Sequence, residues 1–247
     1  MSSDLVSLRI LLVGASPAHQ SLWREAATLA SLPIELESVA ASAARVALGS
    51  GGVDICVLDA ALDGAETASV IGAARAKRPA PLVFASIRQG GARPDATDGV
   101  LPAVADAIDA RKAVDICVRA KMPTAVLLVA DSNSLRGVVR KILGASRFKL
   151  DVHEAANGVD TLERLGKGKF NLVFLDSDMP GTGGVDILEG IKRARPDAAV
   201  VMMSSALARG TEGRPHLSEA LAFLEKPFYP DDVDAVLQRY FGLADPR

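Results

Sequence analysis

The sequence predicts an α/β chain in which a strand–helix unit repeats five times and then five times again. Three observations predict it. Short unbroken apolar runs (LRILLV, VDICVL, AVLLV and LVFL) suit strands buried on both faces of a parallel sheet. Segments with apolar residues at helical spacing lie between them. The composition, 49% hydrophobic with only 4% aromatic residues, supplies a full core and favours α/β packing over a β-sandwich.

The elements follow in order. Leu8 to Val13 reads as a first buried strand. Pro17 to Leu29 is a helix with Leu22, Ala26 and Leu29 on one face, Ser16 placed to cap it and Pro17 at its first turn. Ile34 to Val39 alternates as a strand, and Ser42 to Leu48 is a short helix ended by a glycine-rich turn. Val53 to Leu58 is a strand closed by Asp59; Ala65 to Ala76 is a helix; Pro81 to Ile87 is a strand. Gln89 to Asp95 has little helical character. Val100-Leu101 is a short strand, and Ala103 to Lys121 a longer helix. Met122-Pro123-Thr124 then punctuates the chain, giving expected domains at 1–121 and 125–247.

The second half runs through the same order. Strands are expected at Ala125 to Val129, Lys149 to Glu154, Leu172 to Leu175, Ala199 to Met203 and Phe223-Leu224. Helices are expected at Ser134 to Leu143, Val159 to Leu165, Val185 to Ala194, His216 to Ala220 and Asp231 to Tyr240. Offsets support the repeat: Val13 and Val129 differ by 116, Asp59 and Asp176 by 117, Ser86 and Ser204 by 118. Pro102 and Lys226 differ by 124, so the first copy has lost six residues between its fourth and fifth strands. Such units imply right-handed crossovers between parallel strands.

Function is sought at the strand ends, because ligands of open α/β sheets sit outside the carboxyl ends of the strands. In NLVFLDSDMP, Asp176 follows the apolar run directly. It is a site residue or a helix cap, and the next helical pattern begins only near Gly184, which weakens the cap. Other signals are mundane. Cys56 and Cys117 sit in apolar patterns and read as reduced core residues. His19, His153 and His216 show no metal-ligand spacing. Gly14 is not followed by a dinucleotide fingerprint, and Asp151-Val152-His153 lacks the glycine a cobalamin loop needs, Ala156 standing there. The basic run Lys192 to Arg195 reads as a solvated helix end. A net charge of -2 gives no reason to expect nucleic acid, and no stretch reaches the roughly 18 apolar residues of a membrane span. The N-terminus does not read as a signal peptide, so a cytoplasmic location is expected.

The second copy, with VLLVADS, HEAANGVDTL, VFLDSDMPGTGG, VVMMSS and FLEKPF in succession, resembles the receiver domain of bacterial two-component response regulators, and the first copy is a degenerate version of it. The resemblance implies two flavodoxin-like (βα)5 domains, each a parallel five-stranded sheet of order 2-1-3-4-5 with helices on both faces. It implies that Asp176 is the phosphoacceptor, taking a phosphoryl group from a histidine kinase or phosphotransfer protein. Asp131, Asp176 and the backbone carbonyl of Asp178 match the ligands of Mg²⁺. Lys226 matches the lysine that neutralises the phosphoryl oxygens, with a cis bond to Pro227 aiming it inward. Ser204, with Ser205 beside it, matches the switch hydroxyl, and Phe223 the aromatic that moves on activation.

There are departures. Ala130 stands where the family has a second acid, which should weaken Mg²⁺ binding without abolishing it. Gly183 replaces a common Asp, and SALARGTEGRPH suggests a short or mobile fourth helix. In the first copy Gly14 and Ala15 occupy the acid-pair positions and Pro102 the lysine's, so only Asp59 and Ser86 remain. The expectation is a response regulator without an output domain and with no enzymatic role beyond its own phosphoryl transfer and acyl-phosphate hydrolysis. It would act by binding a downstream protein, with the first copy serving docking or homodimerisation. The alternatives are a phosphate sink or shuttle, and the amino-terminal part of a longer regulator.

Overall fold

The computed structural model describes residues 7–87, 92–180, 183–205 and 219–243. The chain divides into two compact units, Met1–Met122 together with Phe241–Arg247, and Pro123–Tyr240. In chain order the elements of the first are β1 (Leu8–Val13), α1 (Pro17–Thr28), β2 (Ile34–Val39), α2 (Ala41–Gly49), β3 (Ile55–Leu58), α3 (Gly64–Arg75), β4 (Leu82–Ser86), β5 (Gly99–Leu101) and α4 (Ala107–Lys121). The rest are β6 (Thr124–Val129), α5 (Asn133–Gly144), β7 (Leu150–Ala155), α6 (Gly158–Lys167), β8 (Leu172–Asp176), α7 (Gly184–Ala194), β9 (Ala199–Ser204), β10 (Ala222–Glu225) and α8 (Pro230–Phe241).

Each unit contains a five-stranded sheet, ordered β2-β1-β3-β4-β5 and β7-β6-β8-β9-β10. Every strand pair is parallel. The central strands are buried at every residue, as their unbroken apolar runs require. The edge strands β2 and β7 alternate instead between half-buried and exposed residues. One core layer of the second unit gathers Leu127, Val129, Val173, Leu175, Leu188, Ile191 and Met202. Its counterpart in the first gathers Leu11, Val13, Leu48, Cys56, Leu58, Val70 and Val83. Each large side chain so buried contributes about 1.5–3 kcal/mol.

Local signals set the helix starts. Ser16 caps α1 through the His19 amide with Pro17 at its first turn, as the sequence predicts. Asp63 and Glu66 form a reciprocal capping box on α3. The helix expected from Ala103 begins instead at Ala107, because the Asp106 side chain accepts from the Asp109 amide and fixes the start there. Ser132 caps α5 through the Leu135 amide and so anchors the turn that carries Asp131. Residues 216–218 of the expected helix at His216 to Ala220 and most of SALARGTEGRPH lie outside the described residues, as does part of Gln89 to Asp95. Among the described residues no helix is long and apolar enough to cross a membrane.

Both cysteines are buried and unpaired. Burial removes the Cys56 thiolate from water and pushes its pKa up to about 12, and Cys117 is pushed up further by the same cause. Neither thiol should react with iodoacetamide at pH 8 in the native protein, and both should react in denaturant. Mass spectrometry of the alkylated chain checks this.

Candidate functional site

The register shows which positions of the two sheets correspond. Val13 pairs with Leu58 and Val129 with Leu175, so Asp59 and Asp176 hold the same place, one residue beyond those partners. Ser86 pairs with Leu101 and Ser204 with Glu225, so Pro102 and Lys226 also correspond. The sequence offsets gave the same equivalences.

In the second unit, β8 ends on Asp176, which is 3% exposed. Lys226 follows β10 directly through a cis bond to Pro227, as the resemblance implies. Its Nζ lies 2.5 Å from Asp176 Oδ1, with the lysine side chain 19% exposed. The Asp178 amide donates to the same Oδ1 at 2.9 Å. Ser38 Oγ is the single buried side-chain polar atom without a partner among the described residues. Oδ2 of Asp176 makes no hydrogen bond among the described residues.

The Asp178 side chain is also engaged. Its Oδ2 accepts from the Ser205 amide at 2.8 Å and from Lys226 Nζ at 3.2 Å. Its Oδ1 accepts from Ser177 Oγ at 3.2 Å and from Ser204 Oγ at 3.4 Å. Partial burial would raise the Asp178 pKa, but the bonds from Ser205 and Lys226 outweigh it and hold the carboxyl at about 2. Gly184, at the start of α7, lets the helix approach this loop. A Cβ there would meet the Ser177 Cα at 2.6 Å.

The structure thus brings together Asp176, Asp178, Ser204 and Lys226. Asp131 stands at the carboxyl end of β6 beside them but is exposed, and its carboxylate makes no hydrogen bond or ion pair among the described residues. Arg136 holds this turn from α5, donating to the carbonyls of Ala130 and Asp131 and pairing with Glu154. Among the described residues no three acidic, histidine or cysteine groups gather as a metal-binding cluster. Phe223 on β10 is half-buried and packs against the core layer.

Sequence reasoning gave Asp178 a carbonyl role alone and missed its carboxylate, the Ser205 amide and Arg136. The acid was visible in SDMP, but nothing in a strand-end pattern says which way its side chain turns.

The first unit closes the corresponding place. Gly14 has φ +81°, and a Cβ there would meet Leu62 Cδ2 at 2.5 Å. Leu62 therefore lies over the first of the two acid-pair positions, the counterpart of Ala130, and Ala15 is the counterpart of Asp131. Asp59 is 8% exposed; its Oδ1 accepts from the Ala61 amide at 2.9 Å, and its Oδ2 lies 3.0 Å from His19 Nδ1. Sequence reasoning set His19 aside as lacking metal spacing, although its place on the first turn of α1, after β1, puts it at this edge of the sheet. Ser86 is buried at the end of β4, in a cleft lined also by Leu58, Ile71 and Arg93.

Comparison with known proteins agrees with this layout. A family model described as the response regulator receiver domain matches residues 126–238. The chain is 31% identical over 114 residues to the chemotaxis protein CheY of Listeria monocytogenes, an alignment covering 46% of this chain and 95% of that protein. It is 32% identical over 127 residues to the DNA-binding transcriptional regulator NtrC of a Bradyrhizobium strain, covering 51% of this chain and 26% of that protein. The matched part thus spans about a quarter of that regulator's length. A solved structure of a probable two-component system response regulator/GGDEF domain protein aligns with a TM-score of 0.55 over 95% of this chain and 98% of its own, at 20% identity. That likeness is one of fold. The chain belongs to the response regulator receiver family, whose receiver domains are signalling modules of two-component systems.

Replacing His19 by Ala should leave Oδ2 of the buried Asp59 without its partner. The expected loss is about 1–3 kcal/mol of stability in the first unit, the cost of an unsatisfied buried acceptor. A lowered urea midpoint at unchanged slope checks it.

Proposed function

We propose that residues 125–247 form a phosphoacceptor receiver and residues 1–121 a receiver-like module used for docking or dimerisation. In this reading Asp176 takes a phosphoryl group from the phosphohistidine of a sensor kinase or phosphotransfer protein in the cytoplasm. The phosphorylated receiver then signals by binding a downstream protein. The observation that carries it is the buried Asp176 carboxylate with Lys226 Nζ at 2.5 Å and a second oxygen that makes no hydrogen bond among the described residues.

The chemistry follows from those atoms. Oδ2 of Asp176 attacks phosphorus in line, forming a P–O bond as the P–N bond to imidazole breaks. The imidazole leaves with the electron pair and is protonated on that nitrogen by solvent. Lys226 turns its ammonium to the phosphoryl oxygens, and the Ser204 hydroxyl donates to another. Phe223, half-buried beside these strands, repacks with Ser204 and changes the face offered to a partner. Hydrolysis reverses the state: water attacks phosphorus, the bond to Asp176 breaks, and inorganic phosphate leaves.

Mg²⁺ fits the donors in kind. They are all oxygens, as a hard cation prefers: among the described residues the Asp131 carboxylate, Oδ2 of Asp176 and the Asp178 carbonyl accept no hydrogen bond. When bound, Mg²⁺ would offset phosphoryl charge that Lys226 alone leaves uncompensated. In the first unit Asp59 is held by His19, Leu62 lies over Gly14, and Pro102 offers no cation, so no phosphorylation is assigned there.

Incubation of the full chain with acetyl phosphate and Mg²⁺ should place one label on Asp176. Asp176→Asn should abolish it, while Asp59→Asn should leave it unchanged. A label retained on Asp176→Asn, read by phosphate-affinity electrophoresis, overturns the assignment.

A further inference from the structure

Asp178 poses a problem that the proposed function does not solve. Its carboxylate takes hydrogen bonds from Lys226 Nζ, the Ser205 amide and Ser204 Oγ, three donors at the carboxyl ends of β9 and β10. The neighbouring Ser177 hydroxyl adds a fourth. A phosphoryl group on Asp176, two residues earlier on the same chain, needs donors of this kind, because its oxygens carry up to two negative charges. Lys226 already reaches both carboxylates, at 2.5 Å and 3.2 Å, so one ammonium serves two anions before any phosphoryl group arrives.

The direction of the side chain narrows its role. Its partners lie on the β9 and β10 side of Asp176, away from Asp131 on β6 at the opposite side of β8. The Asp178 carboxylate is therefore not placed to replace the acid that Ala130 lacks. It stands where the phosphoryl oxygens would find their donors.

We infer that Asp178 is an internal competitor for the phosphoryl group: its carboxylate holds Lys226, Ser204 and the Ser205 amide in the unphosphorylated protein and must be displaced when Asp176 is modified. This rests on the reading of Asp176 as the phosphoacceptor. The displaced carboxylate stays beside the phosphoryl group as a like charge, which favours return to the unmodified state. The receiver is thereby biased toward its unphosphorylated form by one of its own side chains. The cost of losing that competitor should be small, because Asp178 is on the surface and its removal opens no cavity.

The test uses beryllofluoride, a tetrahedral phosphoryl mimic that adds to a carboxylate oxygen, titrated into the full chain with saturating Mg²⁺ and followed by ¹⁹F NMR. Asp178→Asn keeps the shape and removes the charge; Asp178→Ala removes the acceptor as well. Both should tighten beryllofluoride binding about tenfold, the worth of one charge-assisted hydrogen bond. Mg²⁺ titrated alone should bind no more tightly to either variant than to the wild type. A merely structural role would not move the two ligands differently. Wild-type binding with no tightening, or with weakening, in both variants overturns the inference and leaves the phosphoacceptor reading standing. If the wild type binds no beryllofluoride and Asp176 takes no label from acetyl phosphate, both readings fall together.

Discussion

The contact between Lys226 Nζ and Asp176 Oδ1 is the interaction on which the arrangement of the second unit's functional edge depends. Asp176 ends a strand whose five residues are all buried, so its charge has little water to stabilise it. A carboxylate in such a place needs a cation or several donors, and breaking a largely buried pair by removing one partner typically costs about 3–5 kcal/mol. Lys226 supplies the cation from two strands away, across β9. That reach ties the end of β10 to the end of β8, and it brings the loop after β9 between them, where Ser204 and Ser205 meet Asp178.

The first unit solves the same electrostatic problem differently. Asp59 directly follows an equally buried strand, but Pro102 holds the lysine's position and has no charge to offer. Compensation comes from the other side of the strand, through His19 on α1 and the Ala61 amide. Leu62 packs over Gly14, the counterpart of Ala130, and Ala15 stands where the second unit has the exposed Asp131. One fold therefore carries a carboxylate at the same register position in two states. One is held through one oxygen by a lysine and a backbone amide, the other by local partners on both oxygens.

Much of this was legible in the sequence, because the fold is written in patterns of period and length. Continuous apolar runs gave the buried strands, and the spacing between equivalent residues gave the repeat. That included the six-residue shortfall before Pro102, which the register of β4 with β5 and β9 with β10 bears out. Strand-end position picked out Asp176, the resemblance to receiver domains added Ser204 and Lys226, and backbone topology carries all three to one edge. Side-chain direction was not legible. Asp178 and His19 each follow a strand in a loop or first helical turn, where torsions decide between solvent and site, and no periodicity encodes them. The start of α4 at Ala107 was missed for a related reason: the apolar spacing ran back to Ala103, but the cap at Asp106 overrode it.

The two acids of SDMP show why donor arithmetic matters more at such an edge than the identity of any one residue. Two carboxylates, one ammonium, two serine hydroxyls and two amides form a network in which every donor has an anion to serve. Adding a phosphoryl group raises the number of anionic oxygens without adding a donor. Something must give up its bonds, and a metal ion is the natural source of further positive charge. Of the two carboxylates, that of Asp178 is the less committed by burial, at 37% exposed against 4% for Asp176. Solvent can take over its hydrogen bonds at a smaller cost than those of Asp176, so under the proposed function the rearrangement would begin there.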